Sequence, residues 1–252
     1  MYKRCLKFLL IILPAIFMLQ SCDTKTGNIT EDYGPSDIGK GGSTARFTIC
    51  GNYLYTVNNY DLRVFDITDP ANPAAFTKVN VGFGIETIFP RGDSLLFIGS
   101  QSGMYIYKIN SSGYPSYQSY FQHIRSCDPV AADANYAYVT LNTSHSWCGR
   151  TTNELQIVDI SNISNPYLKA SYPLYGPKGL GIDNKTLFVC DAGLKVYDVT
   201  DVSNIKLKKN FNISANDVIP YHGNLLVIGD DGFYQYRYQN DTITFLSKIS
   251  KN

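Results

Sequence analysis

Residues 155–166 read Leu155-Gln156-Ile157-Val158-Asp159-Ile160-Ser161-Asn162-Ile163-Ser164-Asn165-Pro166. The first half is a short apolar strand. The second half is a turn whose Asp, Ser and Asn side chains can accept loop N–H groups, with Pro166 stopping the ladder. The stretch recurs along the chain. Leu62–Asp66 runs into a turn ending at Pro73, and Leu194–Asp198 into one ending at Asn204. Met104–Lys108 and Phe233–Arg237 are weaker copies, in which Lys108 and Arg237 replace the Asp. The last residues of the five copies are spaced by 42, 51, 39 and 39 positions.

A second apolar run precedes each copy, as in Tyr53–Val57, Leu95–Ile98, Tyr136–Val139, Leu187–Val189 and Leu225–Ile228. Turn formers precede these in turn: Gly51-Asn52, Gly92-Asp93, Asn135, Asp183-Asn184 and Gly223-Asn224. Such residues tolerate the positive φ of tight hairpins. A further strand follows each copy, for example Ala75–Val79 or Leu168–Tyr172. Four short strands in about 40 residues is one propeller blade. A blade cannot bury both faces alone, so five must pack around an axis. A β-sandwich explains the alternation but not the repeat.

The pattern Leu-x-Val/Ile-x-Asp, followed by Ile/Val-Ser/Thr-Asp/Asn and Asn-Pro, resembles the LVIVD repeat family. The match is fullest at 155–166, good at 62–73 and 194–204, and degenerate at 104 and 233. The resemblance implies a secreted or surface β-propeller and supplies no catalytic residues. The expected fold is therefore all-β, a five-bladed propeller of four-stranded antiparallel blades over residues 45–252. The blades fall near 45–82, 83–124, 125–175, 176–213 and 214–250. Whole blades fit in chain order, so ring closure is expected to rest on blade 1 packing against blade 5, with help from the tether.

Residues 1–21 lie outside this domain. Lys3, Arg4 and Lys7 precede an apolar run to Leu19, a secretory leader too short for a confident membrane span. It ends Leu19-Gln20-Ser21-Cys22, which resembles the bacterial lipobox. That resemblance implies cleavage before Cys22 and its acylation with palmitate-type chains, which anchor the protein in a bilayer. Residues 22–44 read as a flexible tether rich in Gly, Ser, Thr and Asp. The expected location is the bacterial cell envelope, the outer membrane rather than the inner, facing periplasm or surface.

Composition excludes other classes. The 252 residues carry 22 Lys+Arg against 21 Asp+Glu and are 44% hydrophobic, so neither disorder nor nucleic-acid binding is indicated. The leader takes three basic residues with it and leaves 19 against 21, a mature charge of −2.

Four Cys remain after leader and anchor: Cys50, Cys127, Cys148 and Cys190. Loops entering the innermost strands and loops between second and third strands share one face, here termed the top. Cys127 and Cys148 both fall there in blade 3, which makes a disulfide between them reasonable in an exported domain. Cys50 and Cys190 fall on opposite faces and are expected as buried thiols.

The 51-residue spacing marks an insertion in the same blade 3 loop, holding His145, Trp147 and Arg150. An aromatic ring beside a cation suits a protein or saccharide contact, or else a packed cover for the propeller mouth. A column of ionisable residues, Arg46, Glu86, Asp128, Lys178 and Asp217, stands at the starts of the innermost strands. It reads in three ways. The charges neutralise one another in a wet channel. The acids hold a cation such as Ca²⁺, which Arg46 and Lys178 oppose. Or Glu86, Asp128 and Asp217 serve as glycosidase-type carboxylates. No His pairing, phosphate loop or nucleophile motif is present. The expected role is a non-catalytic binding or assembly module, without cofactor, contacting an envelope protein or glycan through its top face. The alternative is a carbohydrate-active or other hydrolytic enzyme.

Overall fold

The computed structural model describes residues 41–123, 129–143 and 153–251. All belong to one compact unit, Pro35–Asn252. Blade 1 comprises β1 (Phe47–Cys50), β2 (Tyr53–Val57), β3 (Asp61–Asp66) and β4 (Ala74–Asn80). Blade 2 comprises β5 (Ile85–Arg91), β6 (Leu95–Ser100), β7 (Gly103–Ile109) and β8 (Pro115–Gln122). Blade 3 comprises β9 (Val130–Ala132), β10 (Tyr136–Leu141), β11 (Glu154–Asp159) and β12 (Tyr167–Pro173). Blade 4 comprises β13 (Pro177–Asp183), β14 (Thr186–Asp191), β15 (Leu194–Asp198) and β16 (Lys206–Phe211). Blade 5 comprises β17 (Asp217–Tyr221), β18 (Asn224–Gly229), β19 (Gly232–Gln239) and β20 (Thr242–Ser250). Each blade is one four-stranded sheet in chain order. The fold is the five-bladed β-propeller that the repeat implies.

The geometry explains the motif residue by residue. The Asp ending the third strand closes an Asx turn: Asp66, Asp159 and Asp198 each accept from the backbone N–H two residues on, at 2.8, 3.0 and 2.9 Å. The next acidic or amide residue repeats the device, with Asp69, Asn162 and Asp201 accepting from Ala71, Ser164 and Ser203. The apolar residue between them, Ile67, Ile160 or Val199, donates its N–H back to the turn between the first two strands. The loop is thus tied to the blade at its start. Every blade also carries a register shift between its third and fourth strands, at Val64/Phe65, Ile106/Tyr107, Ile157/Val158, Val196/Tyr197 and Gln235/Tyr236. Such bulges increase the local twist that a blade needs.

The apolar positions of the motif face the next blade. Leu62 and Val64 pack with Ile85, Ile88 and Ile98 of blade 2. Met104 and Ile106 pack with Val130 and Val139 of blade 3. Leu155 and Ile157 pack with Leu180 and Val189 of blade 4, and Leu194 and Val196 with Val218 and Val227 of blade 5. Among the described residues no such core joins blade 5 to blade 1. The expected closure by direct packing is therefore corrected: the ring has a seam. Phe47 is 61% exposed where its counterparts Ile88, Val130, Leu180 and Val218 are buried. Ile228 is 45% exposed where Val57 and Cys190 are buried.

Candidate functional site

What spans the inner edge of the seam is a strap, residues 41–46, that precedes β1. The Ser43 hydroxyl donates to Asp217 Oδ1 at 2.9 Å, and its oxygen accepts from the Leu180 N–H at 2.8 Å. The Thr44 hydroxyl and N–H both donate to Asp217 Oδ2, at 2.6 and 3.2 Å. The Val218 N–H donates to Oδ1 at 3.0 Å. Further along, the carbonyl of Ala45 accepts from Ile88 N–H at 2.8 Å and that of Arg46 from Val57 N–H at 2.9 Å. Four residues of strap, Ser43 to Arg46, thereby connect blades 5 and 4 to blades 2 and 1. Asp217 is buried between two glycines, Gly42 and Gly179, where any Cβ would overlap its carboxylate. Burial pushes its carboxyl above the ordinary range, against the pull of the Thr44, Ser43 and Val218 donors.

Strand pairing sorts the predicted column. Asp217 lies one residue before Val218, and Val218 pairs with Val227. The positions in the same register are Arg46, Thr87, Pro129 and Gly179. Glu86 and Lys178 fall one residue earlier, beside the register shifts that open β5 and β13. Sequence alignment without those shifts cannot place them. Arg46 donates to the Ile85 carbonyl at 2.8 Å and to Asn59 Oδ1 at 3.1 Å. Gln101 donates to Glu86 Oε1 at 3.2 Å. Lys178 donates to Asn216 Oδ1, and Asn216 in turn to Asp230 Oδ1 at 2.7 Å. Each charge has its own local partner, and both Asp217 oxygens are occupied by the strap and Val218. Asp128 lies outside the described residues, as do Cys22, Cys127, Cys148, His145, Trp147 and Arg150. Among the described residues no three His, Cys, Asp or Glu side chains gather as metal ligands.

The two remaining cysteines are buried free thiols. Burial pushes Cys50 up to about 12 and raises Cys190 as well.

Two surfaces that the sequence reading missed stand out. One is the seam. Blade 1 presents Phe47, Ile49, Leu54 and Phe65 on its open side, all partly or largely exposed. Blade 5 presents Ile219, Leu226, Ile228 and Phe233 on its own. The end repeats carried the signal. Thr56 stands where Ile98, Val139, Val189 and Val227 pack against the preceding blade. Gln235 stands where Val64, Ile106, Ile157 and Val196 pack against the following one. The other is a cavity of about 190 Å³ on the axis, between the second halves of β5, β13 and β17, with Gly41 and Ser43 of the strap as a wall.

The comparisons agree with this architecture. Residues 41–81 and 124–173 match the LVIVD repeat. No curated protein matches the chain. Among solved structures, a protein from Lactobacillus plantarum is 15% identical with a TM-score of 0.60, covering 78% of this chain and 67% of its own. A functionally unknown protein from Desulfotomaculum acetoxidans is 8% identical with a TM-score of 0.63, covering 86% and 71%. AztD from Citrobacter koseri is 9% identical with a TM-score of 0.56, covering 79% and 60%. At these identities the likeness is one of fold.

Proposed function

We propose that this chain of LVIVD repeats, folded as a β-propeller, is a lipid-anchored binding module of the bacterial envelope that holds an envelope protein. The observation that carries the reading is the seam. Two blade faces built for packing, with Phe47 and Ile49 on one and Ile228 on the other, stand exposed. Contiguous exposed apolar surface beside polar rims is a mark of protein contact. Arg46, Glu86 and Lys178, at the starts of the innermost strands, supply polar groups beside it. Propeller discs present many loops on a rigid scaffold, which suits recognition.

Anchoring rests on Leu19-Gln20-Ser21-Cys22 after the apolar leader. Two or more acyl chains on Cys22 hold a protein at the bilayer where one holds it only transiently. The hydrolytic alternative gains nothing from the geometry, since Asp217 is engaged by the strap and Glu86 by Gln101.

Two variants test the reading. Cys22→Ser abolishes incorporation of labelled palmitate and releases the chain from membranes. Phe47→Asp, purified from native membranes beside the wild type, loses the protein that the wild type retains. Retention of palmitate by Cys22→Ser, or an identical set of co-purifying proteins with Phe47→Asp, overturns the corresponding half.

A further inference from the structure

The axial cavity, behind the strap, has the chemistry of a second, small-molecule site. Its walls are largely apolar, from Phe89 of β5, Leu180 and Ile182 of β13, and Val218, Ile219 and Pro220 of β17. The strap closes one side, and its Ser43 hydroxyl is already engaged, donating to Asp217 and accepting from Leu180. One cation lines it, Arg91 at the end of β5. The guanidinium is held in place: Nη1 donates to the Ala134 carbonyl at 2.8 Å and the Asp133 carbonyl at 3.3 Å. Its Cζ stands 5.7 Å from the centre of the Phe97 ring. The nearby Asp133 carboxylate attracts the guanidinium through space but makes no direct ion pair with it. That group accepts from the Asn135 and Tyr136 N–H groups and from the Tyr138 hydroxyl. Nη2 and Nε of Arg91 have no partner among the described residues.

A fixed, partly buried guanidinium with no carboxylate paired directly to it, at the wall of an apolar cavity, fits one class of ligand. The geometry points to a small amphiphilic carboxylate, its apolar body among Leu180, Ile182 and Val218 and its carboxylate on Arg91. Size agrees. An apolar cavity of about 150 Å³ accepts benzene, so about 190 Å³ admits a six-carbon ring or short alkyl chain bearing one carboxylate. Arginine supplies the planar donor fork that carboxylates match.

The probe is benzoate, titrated into the full chain in lipid nanodiscs and followed by the methyl resonances of Leu180, Ile182 and Val218. Benzoate shifts these resonances saturably. Benzyl alcohol, which lacks the charge, and methylphosphonate, which lacks the body, bind about tenfold more weakly or worse. Arg91→Gln weakens benzoate by a similar factor and Arg91→Lys by less. Ile182→Trp fills the space and abolishes binding, read from Leu180 and Val218, while its unchanged thermal midpoint shows that the propeller is intact. Benzoate that leaves the three methyls unmoved overturns the proposal. So does equal binding by Arg91→Gln, or methylphosphonate as tight as benzoate. None of these outcomes bears on the seam, whose test uses a protein partner.

Discussion

Ser43 and Asp217 are 174 residues apart in sequence, yet the Ser43 hydroxyl donates to Asp217 Oδ1 at 2.9 Å. This contact does the work that an interblade core does elsewhere in the ring. Replacing Asp217 with Ala strands the hydroxyls of Ser43 and Thr44 and the Thr44 N–H. The expected loss of stability is about 1–3 kcal/mol in urea unfolding. A double-mutant cycle of Ser43→Ala with Asp217→Ala returns a coupling of about 0.5 kcal/mol or more. Additive effects would show that the strap does not latch through this pair.

Two buried carboxylates respond to pH in opposite directions. Burial raises the Asp217 carboxyl above its unfolded value near 3.9. Just above pH 4 the folded state then binds more protons than the unfolded, and the stability owed to this group falls as pH rises. For Asp191, burial also pushes upward. The Gly176 and Tyr175 N–H groups and Lys195, its ammonium 2.6 Å away, outweigh it and lower the carboxyl. Its contribution is full above pH 4 and is lost on acidification. Unfolding measured across pH 3–7 is expected to show a less negative slope in Asp217→Asn and a flatter acid limb in Asp191→Asn. The reverse pairing would contradict the assignment.

Core and seam respond differently to the same substitution. Phe97, fully buried between blades 2 and 3, costs about 3–5 kcal/mol when cut to Ala. Phe47, 61% exposed at the seam, costs less than about 0.5 kcal/mol. A large loss from Phe47→Ala would mean that the seam is packed in solution.

Cys50 and Cys190 resist thiol reagents in the native chain, since both are buried and their thiols are held protonated. Mass mapping after native alkylation finds their peptides unlabelled, and labelled after unfolding. Native labelling of Cys190 would place it at an accessible surface.

The blades were legible because the repeat has a local cause. Asp66, Asp159 and Asp198 cap their own turns, so the residue type reports the backbone directly. The axial column was not legible, because the register shifts in β5 and β13 move Glu86 and Lys178 by one residue. The strap was legible only in outline, as a tether that helps closure, for another reason. Gly42, Ser43 and Thr44 read as tether, and their role depends on Asp217 at the far end of the chain. Thr56 and Gln235 did mark the seam, as polar breaks in otherwise apolar columns, but only strand pairing shows which face each column presents.

The claim that the seam is the contact surface is tested most directly by photo-crosslinking in native cells. A photoreactive residue is placed at Phe47 or Ile228, and as control at Tyr167 on the outer strand β12 of blade 3. The account predicts one discrete protein adduct from positions 47 and 228 and none from 167. Adducts of equal pattern from all three positions, or none from the seam, would contradict it.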